Sequence, residues 1–569
     1  MGKILEIKDL SIIFGKSGDA KHAVQGMGLQ LEKGEVLGIV GESGSGKSVT
    51  VMSILSLLHP SAVVHSGSVF FDPDGPSSID LLKADEPTLR RFRGGIISII
   101  FQEPMSALNP VRTCGQQVEE VLIEHRKCEG SMTRKVVCNW FEKTGLQNVE
   151  RIFDSYPHEL SGGQLQRVLI ALALCCEPQI VIADEPTTAL DVNVQKKMLD
   201  LLKQLQKELH LSLIFISHDL GVIRYLCDRV LVMKDGQKIE ENSCKHIFEN
   251  PSHPYTKGLM LSRPPLRKKL KQLPTVKDIL KGREEHWFDD TNIVNSTEQD
   301  RKCSELQQLP RLIGIRNLDV RYPRSNGWFF QKKNWHYAVK DVSLDIFQGE
   351  VVGLVGESGS GKTSLGRAIL GLAPVSSGEI YYRDQRLDGL SSSEWRLLRK
   401  KLQIIFQDPY SALNPRRTIF DSISQPLMIH HIVANRSAAR RKASELMEMV
   451  GLSSLLLDRY PHQFSGGQRQ RVCIARALSL NPEFIVCDES VSALDVSVQA
   501  QILNLLMDLK NKLGLSLLFI THDLSVVQYI ADRIIVLNQG ELVEEGKPYQ
   551  IIGSPVKEYT QTLVQSVID

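Results

Sequence analysis

GESGSGKS at residues 41–48 and GESGSGKT at residues 356–363 are one loop written twice in a single chain. Both fit GxxxxGK[ST], and the first copy lies between an apolar β-type run (35–40) and a stretch of helical periodicity (48–58). That is the strand–loop–helix setting in which the pattern cradles phosphate. Glycine lets the backbone curl so that successive N–H groups, with the helix N-terminus, face the β- and γ-phosphates. The expected cradles are Gly41, Ser43, Gly44, Ser45 and Gly46 in the first copy and Gly356, Ser358, Gly359, Ser360 and Gly361 in the second. Lys47 and Lys362 are placed to neutralise phosphate, and Ser48 and Thr363 to ligate Mg²⁺.

Outward from these loops the repetition continues. FQEPMSALNP at 101 recurs as FQDPYSALNP at 406, and YPHELSGGQ at 156 recurs as YPHQFSGGQ at 460. The spacing of 304 then holds for Asp184 and Asp488, Asp191 and Asp495, His218 and His522, and Tyr255 and Tyr559. A period near 300 is too long for a solenoid and suits tandem domains. Residues 266–310 are rich in Lys, Glu, Asp and Gln, poor in aliphatics, and have no counterpart inside either repeat. They read as a charged linker between domains at 1–265 and 311–569. The linker's basic run, Arg267, Lys268, Lys269 and Lys271, reads as a solvated connector, with lipid headgroups or RNA as the rival contacts.

QIVIADE (179–185) and EFIVCDE (483–489) are apolar runs ending in two acids. A buried strand would hold Asp184 and Asp488 rigidly at a Mg²⁺ shell, and would aim Glu185 and Glu489 at the γ-phosphate as candidate bases for water. Short apolar strands at 180–183 and 213–217, separated by helical periodicity, predict an α/β fold with a parallel sheet covered on both faces.

The 569 residues are 42% hydrophobic, 24% charged and 6% aromatic, which excludes collagen-like, disordered and disulfide-scaffold classes. Sixty-eight basic against 66 acidic side chains leave a net charge of +2, with no global footprint for nucleic acid. The N-terminal MGKILEIKDLSIIF alternates like a strand and carries Glu6 and Asp9, unlike a secretion signal, and no apolar run approaches 18 residues. Ten cysteines without a CxxC spacing predict reduced thiols.

P-loop, SGGQ and late histidine together resemble the ABC-type ATPases, over essentially both halves. The resemblance implies two tandem P-loop NTPase domains, each a RecA-like core with a small antiparallel β subdomain and a helical subdomain, hydrolysing ATP with Mg²⁺. LSGGQ (160–164) and FSGGQ (464–468) match the family signature. By that likeness Ser161 and Gly163 would meet the nucleotide held by Lys362, and Ser465 and Gly467 that held by Lys47. Gln102 and Gln407 match the Q-loop, where they would join the Mg²⁺ shell. Asp191 and Asp495 match the D-loop, and His218 and His522 the switch histidine. Phe14 and Tyr322 match the aromatic that stacks on adenine, with Trp335 and Tyr337 of the insertion 323–337 as rivals to Tyr322. Both halves keep every motif residue, so two hydrolytic sites are expected. Ser490 in the place of Pro186, and Leu165 in the place of Arg469, are departures that would make them unequal.

The finer likeness, through ADEPTTALDV and NPSHPYTKGLM (250–260), is to the ATP-binding subunits of dipeptide, oligopeptide and nickel importers, in the form that fuses both ATPases. It implies two transmembrane permease subunits and an extracytoplasmic solute-binding protein as partners, no nucleic acid, and a peripheral position on the cytoplasmic face of the bacterial cell membrane. Di- or oligopeptides are the expected cargo; glutathione, nickel complexes and peptide antibiotics are the related substrates. No iron–sulfur cluster is expected, since no cysteine follows Cys487. The rival class is a tandem ABC ATPase acting on ribosomes or DNA.

Overall fold

The computed structural model describes residues 2–15, 21–76, 78–125, 127, 132–187, 191–283, 287–323, 335–492 and 494–567. The chain divides into two compact units after Met260, the second being Leu261–Val567. Each repeats one architecture of two sheets.

In the first unit, Lys3–Phe14 lies between Lys21–Glu32 and Ala62–Phe71 in an antiparallel sheet completed by Ile79–Asp80. The edge strand Lys21–Glu32 alternates buried and more exposed residues along its second half, whereas the central Lys3–Phe14 is buried from Ile4 to Ile7. The second sheet has six strands. Val36–Gly41, Ser212–Ile216, Ile180–Asp184, Ile97–Ile100 and Arg229–Lys234 run parallel, and Gln237–Ser243 closes one edge antiparallel. Val36–Gly41, Ile180–Asp184 and Ser212–Ile216 are buried along their whole length. That explains their unbroken apolar runs: both faces are covered, one of them by the antiparallel sheet together with the helix Lys47–Ile54, and no polar side is left. Leu37, Ile39, Ile182 and Ile214 join Leu5, Leu29 and Val69 of the antiparallel sheet in one core. The helices Cys114–Glu124, Met132–Lys143, Val149–Asp154 and Gly162–Leu174 form the helical part.

The second unit repeats the pattern. Its antiparallel sheet orders Trp335–Phe347, Arg311–Pro323, Ser377–Tyr382 and Gln385–Arg386, and its six-stranded sheet is built around Val351–Val355. The predicted α/β class, with an antiparallel β part and a helical part in each half, is the fold observed.

Segment 266–310 departs from the solvated-connector reading. Leu270 and Leu273 are buried in the core of the second unit, and Leu266 in a neighbouring cluster with Val355 and Ile534. Lys269 of the basic run is itself buried and donates to the Ala531 carbonyl. Lys302 pairs with the buried Asp532 at 2.7 Å. Asn504 bonds the Leu273 backbone in both directions, at 3.0 and 2.8 Å. The charge-rich composition hides apolar residues at 266, 270, 273, 276 and 279, of which the last two lie on the short helix Val276–Leu280 and the others on irregular chain.

Candidate functional site

The chemistry begins at the C-terminal ends of the parallel strands. After Val36–Gly41 the chain turns through the glycine loop into the helix Lys47–Ile54, and after Val351–Val355 into Lys362–Ile369. Gly46 and Gly361 cap these helices in the left-handed region, at φ 96° and 101°. A Cβ there would lie 2.4 Å from the Ala23 carbonyl oxygen and 1.9 Å from that of Ala338, so the repeated glycine is required by both dihedral and space. Lys47 is buried, and its Nζ donates to the Gly41 and Glu42 carbonyls at 2.9 and 3.0 Å. Lys362 does the same to Gly356 and Glu357, at 2.8 and 2.7 Å. Each ammonium is thus held inside its loop. Ser45 Oγ is buried there with no partner among the described residues, as expected of a donor awaiting an anion.

The Ser48 hydroxyl donates to Asp184 at 3.1 Å and that of Thr363 to Asp488 at 2.8 Å. Burial pushes both carboxyls above their ordinary range, against the hydroxyl bond that favours the charged form. A buried carboxylate beside a hydroxyl supplies hard oxygen donors of the kind that suit Mg²⁺.

The next residue in each strand turns aside. Glu185 and Glu489 adopt φ 48° and 46°, a region costly for a side chain with Cβ, while their N–H groups still bond the neighbouring strand at Ile216 and Ile520, both 3.0 Å. The turn brings three expected residues together. Gln102 Nε2 donates to Glu185 Oε2 at 3.0 Å, and His218 Nδ1 lies 3.0 Å from that same oxygen. In the second half Gln407 reaches Glu489 at 2.7 Å and His522 stands at 3.7 Å. Burial opposes the charge on each histidine, yet the adjoining glutamate outweighs it and both imidazoles are raised above their ordinary value.

The signature and D-loop residues occupy helix starts. Ser161 and Ser465 are N-caps in capping boxes with Gln164 and Gln468. Asp191 and Asp495 cap the long helices Val192–Glu208 and Val496–Leu513. Gly163 and Gly467 let the two helix starts touch, since a Cβ would meet Val194 at 3.0 Å and Val498 at 2.3 Å. Phe14 and Tyr322 are half-buried near strand ends, in register with Lys21 and His336. Tyr322 packs on the second unit's core. Trp335 and Tyr337 are exposed and lie under the Arg321 guanidinium, on the other face of the ribbon by strand alternation. The rest of the insertion, 324–334, lies outside the described residues.

Two sets of contacts go beyond the expectations drawn from the sequence. Tyr255, fully buried, accepts from the Glu42 N–H of the first loop at 3.3 Å, and Tyr559 from Glu357 at 3.2 Å. Their recurrence at the common spacing was the available signal. Arg469, where the first half has Leu165, donates to Pro461 O at 2.9 Å and lies 3.4 Å from the centroid of the Tyr410 ring. That stack ties the signature helix to the Gln407 segment in the second half, where the first has the aliphatic pair Leu165 and Met105.

A P-loop at the end of a buried parallel strand, with a paired acid and histidine on neighbouring strands, defines a P-loop ATPase, and this chain carries two. Residues 24–188 and 339–492 match the family described as ABC transporter, and 239–286 match the oligopeptide/dipeptide transporter C-terminal region. The glutathione import ATP-binding protein GsiA of Pectobacterium atrosepticum is 40% identical over 99% of this chain and 89% of its own. Its namesake from Salmonella choleraesuis is 42% identical over the same shares, and that of Escherichia coli K12 41% identical over 100% and 90%. The chain belongs to the ABC transporter family, as a tandem ATP-binding protein whose ATPase activity is coupled to transport.

Proposed function

We propose that this chain energises the import of short peptides, glutathione among them, by supplying both ATPase domains to one importer. The observation that carries the reading is the co-linear similarity to glutathione import ATP-binding proteins over 99% of the chain, joined to the peptide-transporter C-terminal match. The chain does not choose the cargo in this reading. Selection falls to two permease subunits and an external solute-binding protein, and the chain docks on the cytoplasmic face of the cell membrane. No helix among the described residues is long and apolar enough to cross a membrane, which fits a role that relies on separate permease subunits.

In each half the glycine loop and its lysine hold the phosphates of ATP, with Phe14 and Tyr322 beside the base. Ser48, Asp184 and Gln102, with Thr363, Asp488 and Gln407, are the residues that would hold Mg²⁺. The ion would supply charge neutralisation at the phosphate oxygens. Glu185 and Glu489 take the proton of the attacking water, Gln102 and Gln407 hold those carboxylates in place, and His218 and His522 stabilise their charge. Purification of the tagged chain from native membranes tests the assignment of partners. Recovery with two membrane-embedded permease subunits is expected; recovery with ribosomes or DNA, and none with membranes, would overturn it.

A further inference from the structure

A cavity of about 520 Å³ opens within the second unit, between segment 266–310 and two helices of the ATPase domain. That volume lies in the range of small-ligand sites. One wall is the signature helix Gly466–Leu478, through Gln468 and Arg471; another is Val496–Leu513, through Gln501, Asn504 and Asp508. The third includes Lys277 on the short helix Val276–Leu280. Asn504 fixes that wall by its paired bonds to Leu273 and by accepting from Tyr529 at 2.7 Å.

The lining has a definite chemistry. Arg471 donates to Val450 O at 2.7 Å and to the Gln501 side chain at 3.2 Å, and no carboxylate pairs with it among the described residues. A guanidinium has five N–H donors, so it retains capacity for a carboxylate. Asp508 supplies an opposite charge on another wall, and the side-chain NH₂ groups of Gln468 and Gln501, whose oxygens are engaged, add donors. Cation, anion and amides around one space complement a molecule with a carboxylate, an ammonium and peptide groups. The first repeat has Lys197 and Gln204 at the places of Gln501 and Asp508, and no counterpart of segment 266–310.

We propose that this cavity binds a short zwitterionic peptide and couples its presence to nucleotide binding through the helix starts at Ser465 and Asp495. The proposal rests on the peptide-import reading and extends it: imported cargo would regulate its own importer. The coupling route is short. The two helices that wall the cavity start at Ser465 and Asp495, and their N-termini meet where Gly467 faces Val498. A ligand bridging them to the Val276–Leu280 wall restrains the spacing of both helix starts.

The test uses the full purified chain with trialanine, reduced glutathione, and trialanine blocked at both ends. Saturable binding of the two free peptides is expected, weakened at least about tenfold by end-blocking, by Asp508→Lys or Lys277→Glu, and by the cavity-filling Leu505→Trp. Melting temperature without peptide reports whether each variant is folded. Saturating trialanine should weaken ATP binding about fivefold, and ATP should weaken trialanine binding equally. Absence of saturable binding, or binding untouched by blocking and by all three substitutions, would overturn the site; binding that leaves ATP affinity unchanged would overturn the coupling. Import by the complete complex is read separately. Import without binding here sinks this inference alone, whereas import of no peptide at all sinks the reading beneath it.

Discussion

His218 Nδ1 stands 3.0 Å from the Glu185 carboxylate, while its counterpart His522 stands 3.7 Å from that of Glu489. The same residues thus hold a tighter pair in the first half. Both histidines are raised above the ordinary 6.5 by the adjoining glutamate, against burial, and Glu489 is lowered below 4.5 because His522 and Lys362 outweigh its burial. Stability from a raised histidine is full below 6.5 and is lost as pH rises through the raised value; that from Glu489 is full above 4.5 and is lost as pH falls through the lowered one. NMR titration of labelled histidines should place His218 above 6.5, and Glu185→Gln should bring it below, since only burial and weaker charges remain. A titration unmoved by that substitution would contradict the pairing.

The repeated loop glycine admits a sharp test. Gly46→Ala and Gly361→Ala each set a Cβ against a backbone carbonyl at positive φ. Each should cost about 1–3 kcal/mol of stability in its own unit, seen by calorimetry, together with loss of nucleotide binding in that half. An unchanged melting profile would show that the loop relaxes freely.

The tyrosines behind the loops should matter to affinity more than to folding. Tyr255→Phe keeps the buried ring and removes the hydroxyl that accepts from the Glu42 N–H. Loss of about 0.5–1.5 kcal/mol predicts ATP binding weaker by a few-fold, with Tyr559→Phe acting likewise in the second half. Equilibrium binding of a fluorescent ATP analogue to chains inactivated in the other half reads this directly.

Segment 266–310 is predicted to be part of the second unit's stability. Asp532→Asn keeps an oxygen for the Val351 N–H, which Asp532 accepts at 3.0 Å, but strips the charge paired with Lys302. A loss of about 3–5 kcal/mol is expected. Burial lowers Lys269 to about 8 from an ordinary 10.5, so the native state releases that proton first. The unfolded chain then holds more protons between those values, and stability should rise with pH across the window, an effect Lys269→Met would abolish. Urea titrations at several pH values measure both.

Much of this was legible in sequence because the chemistry is local. Loop, acid pair and histidine each sit at the end of a fully buried apolar strand, so pattern and position coincide. The turn at Glu185 and Glu489 was not legible: a left-handed dihedral after an apolar strand leaves no compositional trace. Nor was the packing of segment 266–310. Its few apolar residues are diluted by Lys and Glu, and composition does not show which of them the core takes up. Arg469 was noticed as a departure, but its stack on Tyr410 joins residues 59 apart and needed coordinates.

The central claim is that two ATPase sites in one chain drive peptide import. Uptake of labelled glutathione into vesicles carrying the permease subunits and the binding protein, with ATP and this chain on the ATPase side, tests it most directly. Uptake should require the chain and should fall, with phosphate release, by about 10²–10⁴-fold in Glu185→Gln/Glu489→Gln, while ATP stays bound. Uptake and turnover unchanged in that double variant would contradict it.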